Sequence, residues 1–97
     1  MKVRNMTSSN GRAVPNQFII YDKGDYYFQS YDTVIAKADY AGRVTIIEGA
    51  CDFSRTTSKY LYSFLQNFSL IVPEAMSKKG LAKLVESGKI FITKRFN

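Results

Sequence analysis

Residues 54–68 read Ser54-Arg55-Thr56-Thr57-Ser58-Lys59-Tyr60-Leu61-Tyr62-Ser63-Phe64-Leu65-Gln66-Asn67-Phe68, and here the chain changes period. Apolar side chains fall at Tyr60, Leu61, Phe64, Leu65 and Phe68. That i, i+1, i+4, i+5, i+8 spacing gathers on one stripe of a helix. Asp52 or Ser54 is positioned to cap its start, because a short oxygen-bearing side chain satisfies a free amide of the first turn. Pro73 stops any continuation.

Upstream of this stretch the pattern belongs to strands. Residues 2–6 form a short extended start, followed by Ser9-Asn10-Gly11-Arg12, whose Asn-Gly pair is a strong hairpin signal. Pro15 blocks a helix, and residues 16–21 are rich in β-formers. Asp22-Lys23-Gly24-Asp25 reads as a turn, residues 26–31 and 33–38 as two more strands, Tyr40-Ala41-Gly42 as a turn and residues 44–48 as a fifth strand. Turn signals at this spacing predict an antiparallel meander.

Downstream, residues 78–87 carry a second helical pattern with Leu81, Leu84 and Val85 on its apolar stripe. Ser77 is the expected cap and Gly88 the left-handed stop. Ile90-Phe91-Ile92-Thr93 then closes the chain as a strand. The order β-β-β-β-β-α-α-β predicts one α+β domain over residues 1–97, a mostly antiparallel sheet with both helices packed on one face. Alternation sets Tyr27, Gln29 and Tyr31 opposite Tyr26, Phe28 and Ser30. The helices cover one side only. Tyr21, Tyr27, Tyr31 and Gln29, with Gln17 and Lys37 alongside, are therefore expected on an open sheet face.

Composition narrows the function. The 97 residues contain no histidine and one cysteine, Cys51. The commonest general base and the commonest zinc ligand are absent, so neither a metal site nor a cofactor is expected. Neither G-x-x-x-x-G-K-[ST] nor G-x-G-x-x-G occurs, and Thr56-x-x-Lys59 only approximates a Ser-x-x-Lys pair. The reading is a binding protein with no catalytic residues. A lone cysteine, no long apolar run and no signal-like start predict a cytoplasmic protein without a membrane span.

Net charge is +6, and its distribution is uneven. Residues 1–53 balance six basic side chains against six acidic ones, whereas residues 54–97 carry eight basic against two acidic. Excess cations on one segment point to an anionic partner, although solubility alone reads the same way. Two sites focus the charge. Arg55, Thr56, Thr57, Ser58 and Lys59 surround one predicted helix start, where cations oppose the macrodipole unless an anion joins them. Ordinary capping with solvated charge is the other reading of these residues. Lys78 and Lys79 repeat the theme on the second helix, or form a solvated lysine face. Arg12, beside the first hairpin turn, is a further cationic candidate. The tyrosine face has three readings: cross-strand packing, a dimer interface, or a platform for unpaired bases.

Several segments carry a resemblance: Thr7-Ser8-Ser9-Asn10-Gly11-Arg12, Pro15-Asn16-Gln17-Phe18, residues 27–36 (YFQSYDTVIA), Asp52-Phe53-Ser54-Arg55-Thr56-Thr57-Ser58-Lys59-Tyr60 and Phe64-Leu65. Over roughly residues 5–65 the chain resembles a family of small bacteriophage and bacterial proteins of unknown function. Many members have Trp-Asp-Tyr-Ser where this chain has Cys51-Asp52-Phe53-Ser54, so a large aromatic is missing at Cys51. The resemblance implies a phage or mobile-element origin and action in the cytoplasm of a bacterial host. It implies no mechanism. The leading expectation is a phage-type module that binds an anionic partner, nucleic acid or a nucleotide first among them. The alternative is a protein-interaction module that inhibits or modulates a host protein, including one of host defence. Unpaired sheet edges add the expectation of a homodimer.

Overall fold

A computed structural model describes residues 1–50, 53–69, 71 and 78–96. The elements are β1 (Lys2–Thr7), β2 (Ala13–Asp22), β3 (Asp25–Ser30), β4 (Thr33–Ala38), β5 (Val44–Ile47), α1 (Arg55–Phe68), α2 (Lys78–Glu86) and β6 (Ile90–Thr93). The predicted order is met in full. Cys51 and the expected roles of Asp52, Pro73 and Ser77 lie outside the described residues. Among the described residues no helix is long and apolar enough to cross a membrane.

The sheet is mixed, with spatial order β1-β2-β3-β4-β5-β6. Its first five strands form the expected antiparallel meander. β6 pairs parallel to β5, with Val44 opposite Ile90 and Ile46 opposite Ile92. A parallel neighbour requires a crossover, and α1 and α2 supply it.

Local chemistry explains the irregular points. In the first hairpin the Ser8 amide donates to Arg12 O at 2.8 Å and the Gly11 amide to Ser8 O at 2.9 Å. Only Gly11 takes positive φ (81°), so the loop has three residues ending in a left-handed glycine. The two-residue Asn-Gly turn is replaced because Asn10 stays outside the left-handed region. β2 bulges between Ala13 and Phe18, where Asn16 has φ 65°. A second bulge in β4 sets Ile35 and Ala36 together against Phe28, and both are buried. Gly88 ends α2 as expected. At φ 77° it donates to Val85 O, while the Lys89 amide donates to Leu84 O, the paired bonds of a Schellman motif.

One core forms between the sheet and the helices. Phe28, Ile35, Ala36, Val44 and Ile46 meet Leu61, Phe64, Leu65 and Leu81, all essentially inaccessible. The small Ala36 and Ala38 let α1 lie close over β4. Phe64 stacks on Phe28 with centroids 6.0 Å apart.

The tyrosine face requires a correction. Directly paired residues in an antiparallel ladder point to the same side. Gln17 pairs with Ser30, Ile19 with Phe28, and Tyr21 with Tyr26. Tyr21 and Gln17 therefore lie on the helix side. Tyr31 lies on neither face: it occupies the β3–β4 turn at φ 56°. Alternation fixes the phase within each strand but not between strands, and the turn breaks it before Tyr31. Of the expected set, Tyr27, Gln29 and Lys37 face outward. Lys37 Nζ lies 5.7 Å from the Tyr27 ring centroid and 3.6 Å from Asp25. Phe96 meets the same ring edge-on at 6.3 Å.

Candidate functional site

The first turn of α1 is built from hydroxyl groups. Ser54 caps it, its Oγ accepting from the Thr57 amide at 3.3 Å. Ser54 Oγ also donates to Thr57 Oγ1 at 3.2 Å, and Thr57 Oγ1 lies 3.1 Å from Ser30 Oγ on β3. Ser58 Oγ donates to the Phe53 carbonyl at 3.4 Å. Thr57 and Ser58 are buried. Of the four hydroxyls expected at an anion, these two and that of Ser54 are used by the fold. Thr56 is exposed.

The cations do face solvent. Arg55 and Lys59 are exposed, one turn apart, on the side opposite the core stripe. No acidic residue stands in this first turn, and among the described residues no carboxylate pairs with either cation. Lys59 Nζ rests 5.4 Å from the Tyr60 ring centroid.

Arg55, Lys59 and Lys78 line one open groove of about 810 Å³, within the range of small-molecule sites. The two cationic helix starts, separate in the sequence, thus share a surface. Phe53 and Tyr62 supply aromatic wall, and Ser58, Ser63 and Gln66 complete the described lining. No Asp or Glu is among these residues. Lys79 is exposed but does not line the groove, being about 100° around the helix from Lys78. Arg12 sits exposed at the first hairpin and is not part of it.

Phe53, Tyr62 and Gln66 were not expected at a site. The signal for two of them was present: Tyr62 and Gln66 continue the Arg55–Lys59 stripe at helical spacing. Among the described residues no cluster of His, Cys, Asp and Glu is able to hold a metal ion.

Gln29 and Tyr31 serve one local structure. Gln29 Nε2 donates to Tyr31 O at 2.7 Å, and the Tyr31 amide donates to Asn16 O at 2.7 Å. Clamped at both ends, Tyr31 is held in a backbone conformation rare for a bulky residue, and the residue is 61% exposed.

A six-stranded mixed sheet, two helices on one side and a cation-lined groove over the helix starts define a small α+β module. Residues 1–93 match the model of a family of unknown function (DUF8033), and the chain belongs to that family. No curated protein and no solved structure matches it.

Proposed function

We propose that this chain is a non-catalytic binding module for an anionic partner, nucleic acid or a nucleotide, held at the groove of Arg55, Lys59 and Lys78. The observation that carries the reading is the meeting of both cationic helix starts on one groove with aromatic walls. Arg55 offers a planar fork to a phosphate, and the two lysines add point charges. Phe53 and Tyr62 suit a base or another flat group. The likeness to bacteriophage and bacterial proteins supports a setting in the cytoplasm of a bacterial host.

Fluorescence titration against nucleotides and against single- and double-stranded DNA and RNA tests the proposal. Binding is expected to tighten as salt falls, because phosphate contacts release counterions. Absence of binding to every one of these ligands at about 50 mM salt, where such contacts are strong, overturns it.

A second reading rests on exposed aromatic residues. Tyr31 is 61% and Tyr40 81% exposed, and tyrosine is enriched where proteins dock. They favour a host protein, including a defence protein, as partner. A stoichiometric protein captured from bacterial lysate, retained after nuclease treatment and lost on Tyr40→Ala, supports this alternative.

A further inference from the structure

We propose that the partner is a single-stranded nucleic acid lying along α1, in a trough that continues past the groove to Arg4 and Lys2 on β1. This rests on the anion-binding reading above and extends it to residues outside that groove.

The continuity is geometric. Ser63 lines the Arg55 groove and also a second hollow of about 370 Å³ between α1 and β1, which Arg4, Asn67 and Phe68 border. Arg4 in turn borders a third hollow of about 670 Å³, edged by Lys2, Tyr21 and Tyr26. α1 has 14 residues, so the trough follows it for about 21 Å at 1.5 Å per residue. That length exceeds what one nucleotide needs.

Among the described residues the charge of these three hollows is one-sided, and Asp39, on the further hollow that Tyr21, Tyr26, Asn67 and Phe68 also border, is paired with Arg43. Lys2, Arg4, Arg55, Lys59 and Lys78 line the three, and no Asp or Glu is among their described lining residues. Lys2 and Arg4 come from the half of the sequence whose charges cancel. Three of its acids are engaged elsewhere: Asp22 lies 3.9 Å from the chain's own amino terminus, Asp25 pairs with Lys37 and Asp39 with Arg43. The pairing register puts Lys2 and Arg4 on the helix side, opposite Tyr21 and Ile19.

Aromatic rings decide between a nucleic acid and an acidic peptide. Phe28, Phe64, Phe68, Tyr26 and Tyr21 form a ladder with successive centroids 6.0, 5.6, 5.0 and 4.9 Å apart. It runs from the core to the trough, where Tyr21 ends it 40% exposed. A ring braced by such a ladder is fixed in orientation before any ligand arrives, as a stacking platform should be. Arg4 is held likewise, its guanidinium carbon 5.7 Å from the Phe68 centroid. Tyr62 supplies aromatic surface at the other end. Cations that track a backbone, with rings beside them, are the arrangement that grips a single strand. A duplex keeps its base faces inside the stack, out of reach of Tyr21 and Tyr62.

The test is a fluorescence titration of the full chain with mononucleotide and oligothymidylates of two, four, eight and twelve nucleotides, beside a matched duplex and oligoglutamate. Affinity is expected to rise with length and level off within the range of about 4–16 nucleotides that one small fold covers. Arg4→Ala should weaken the twelve-mer about tenfold and make its salt dependence shallower by about 0.7 in log–log slope, one phosphate contact. Tyr21→Ala should weaken it about tenfold, one stacking contact. Arg4→Lys should recover part of the loss, and Lys89→Ala, outside the trough, should lose nothing. Thermal melts of each variant establish that it is folded. Mononucleotide binding without a gain in length overturns the trough and leaves the groove standing. Equal binding of duplex or of oligoglutamate overturns the single-strand assignment. No binding of any of these ligands overturns the anion-binding reading itself.

Discussion

The hydroxyls of Ser30 on β3 and Thr57 in the first turn of α1 meet at 3.1 Å in a buried contact. The contact joins the start of α1 to the sheet on the side of its buried stripe, and Arg55 and Lys59 lie exposed on the opposite side of the helix. Thr57→Val leaves Ser30 Oγ buried without its partner, and a stranded hydroxyl costs about 1–3 kcal/mol. Urea denaturation should show that loss. Thr57→Val combined with Ser30→Ala should lose less than the sum of the two single changes, because neither hydroxyl is then stranded. Strict additivity would show that the two hydroxyls do not act as a pair.

Gln17 presents the opposite situation. It is 1% exposed, and among the described residues its Oε1 has no hydrogen-bond partner. Its neighbour across the ladder is the same Ser30. Gln17→Met keeps the length of the side chain and removes the stranded acceptor. The melting temperature should hold or rise, by the equivalent of up to about 2 kcal/mol. A fall would show that the Gln17 amide contributes to folding despite its unpartnered oxygen.

Much of this architecture was legible in the sequence. The period change at Ser54 located α1, and Gly88 located the end of α2, because each is a local signal with a local cause. The pairing of strands is not local. Tyr21 and Tyr27 both read as outward residues until the register put Tyr21 opposite Tyr26 and Tyr27 opposite Lys37. The same limit hid Lys2 and Arg4, whose place beside α1 depends on three strands being in register. Arg55 and Lys59 were legible as a pair at helical spacing. Their approach to Lys78 is a tertiary fact, set by how the crossover returns to β6.

Asp39 carries the clearest pH signature. Desolvation, the largest influence, raises its pKa. Hydrogen bonds from the Arg43 amide at 2.9 Å, the Arg43 guanidinium at 2.8 Å and the Ala41 amide at 3.0 Å outweigh it and hold the carboxyl below its ordinary value. A depressed folded-state pKa stabilises above the unfolded value and is lost as pH falls through the folded one. Melts should therefore show a stability loss below about pH 4 that is smaller in Asp39→Asn. An identical acid profile in the two proteins would contradict this.

Assembly is a separate expectation. Among the described residues β1 and β6 leave both sheet edges unpaired by other strands, and β6 exposes Phe91 and Ile92. We expect a homodimer, seen in light scattering as twice the 11.0 kDa chain mass at high micromolar concentration. A species of 11.0 kDa alone would refute it.

The most direct measurement is a pair of experiments on Arg55→Ala: a thermal melt beside the parent chain, and titration with the nucleic acid or nucleotide that binds best. Arg55 is exposed at a helix N-terminus, where a cation contributes little to folding or slightly opposes it. An unchanged or slightly higher melting temperature is expected, together with a loss of about 1.5–3 kcal/mol in binding, the worth of hydrogen bonds to a charged group. Unchanged affinity at an equal or higher melting temperature would contradict the anion site and remove the groove as the seat of function.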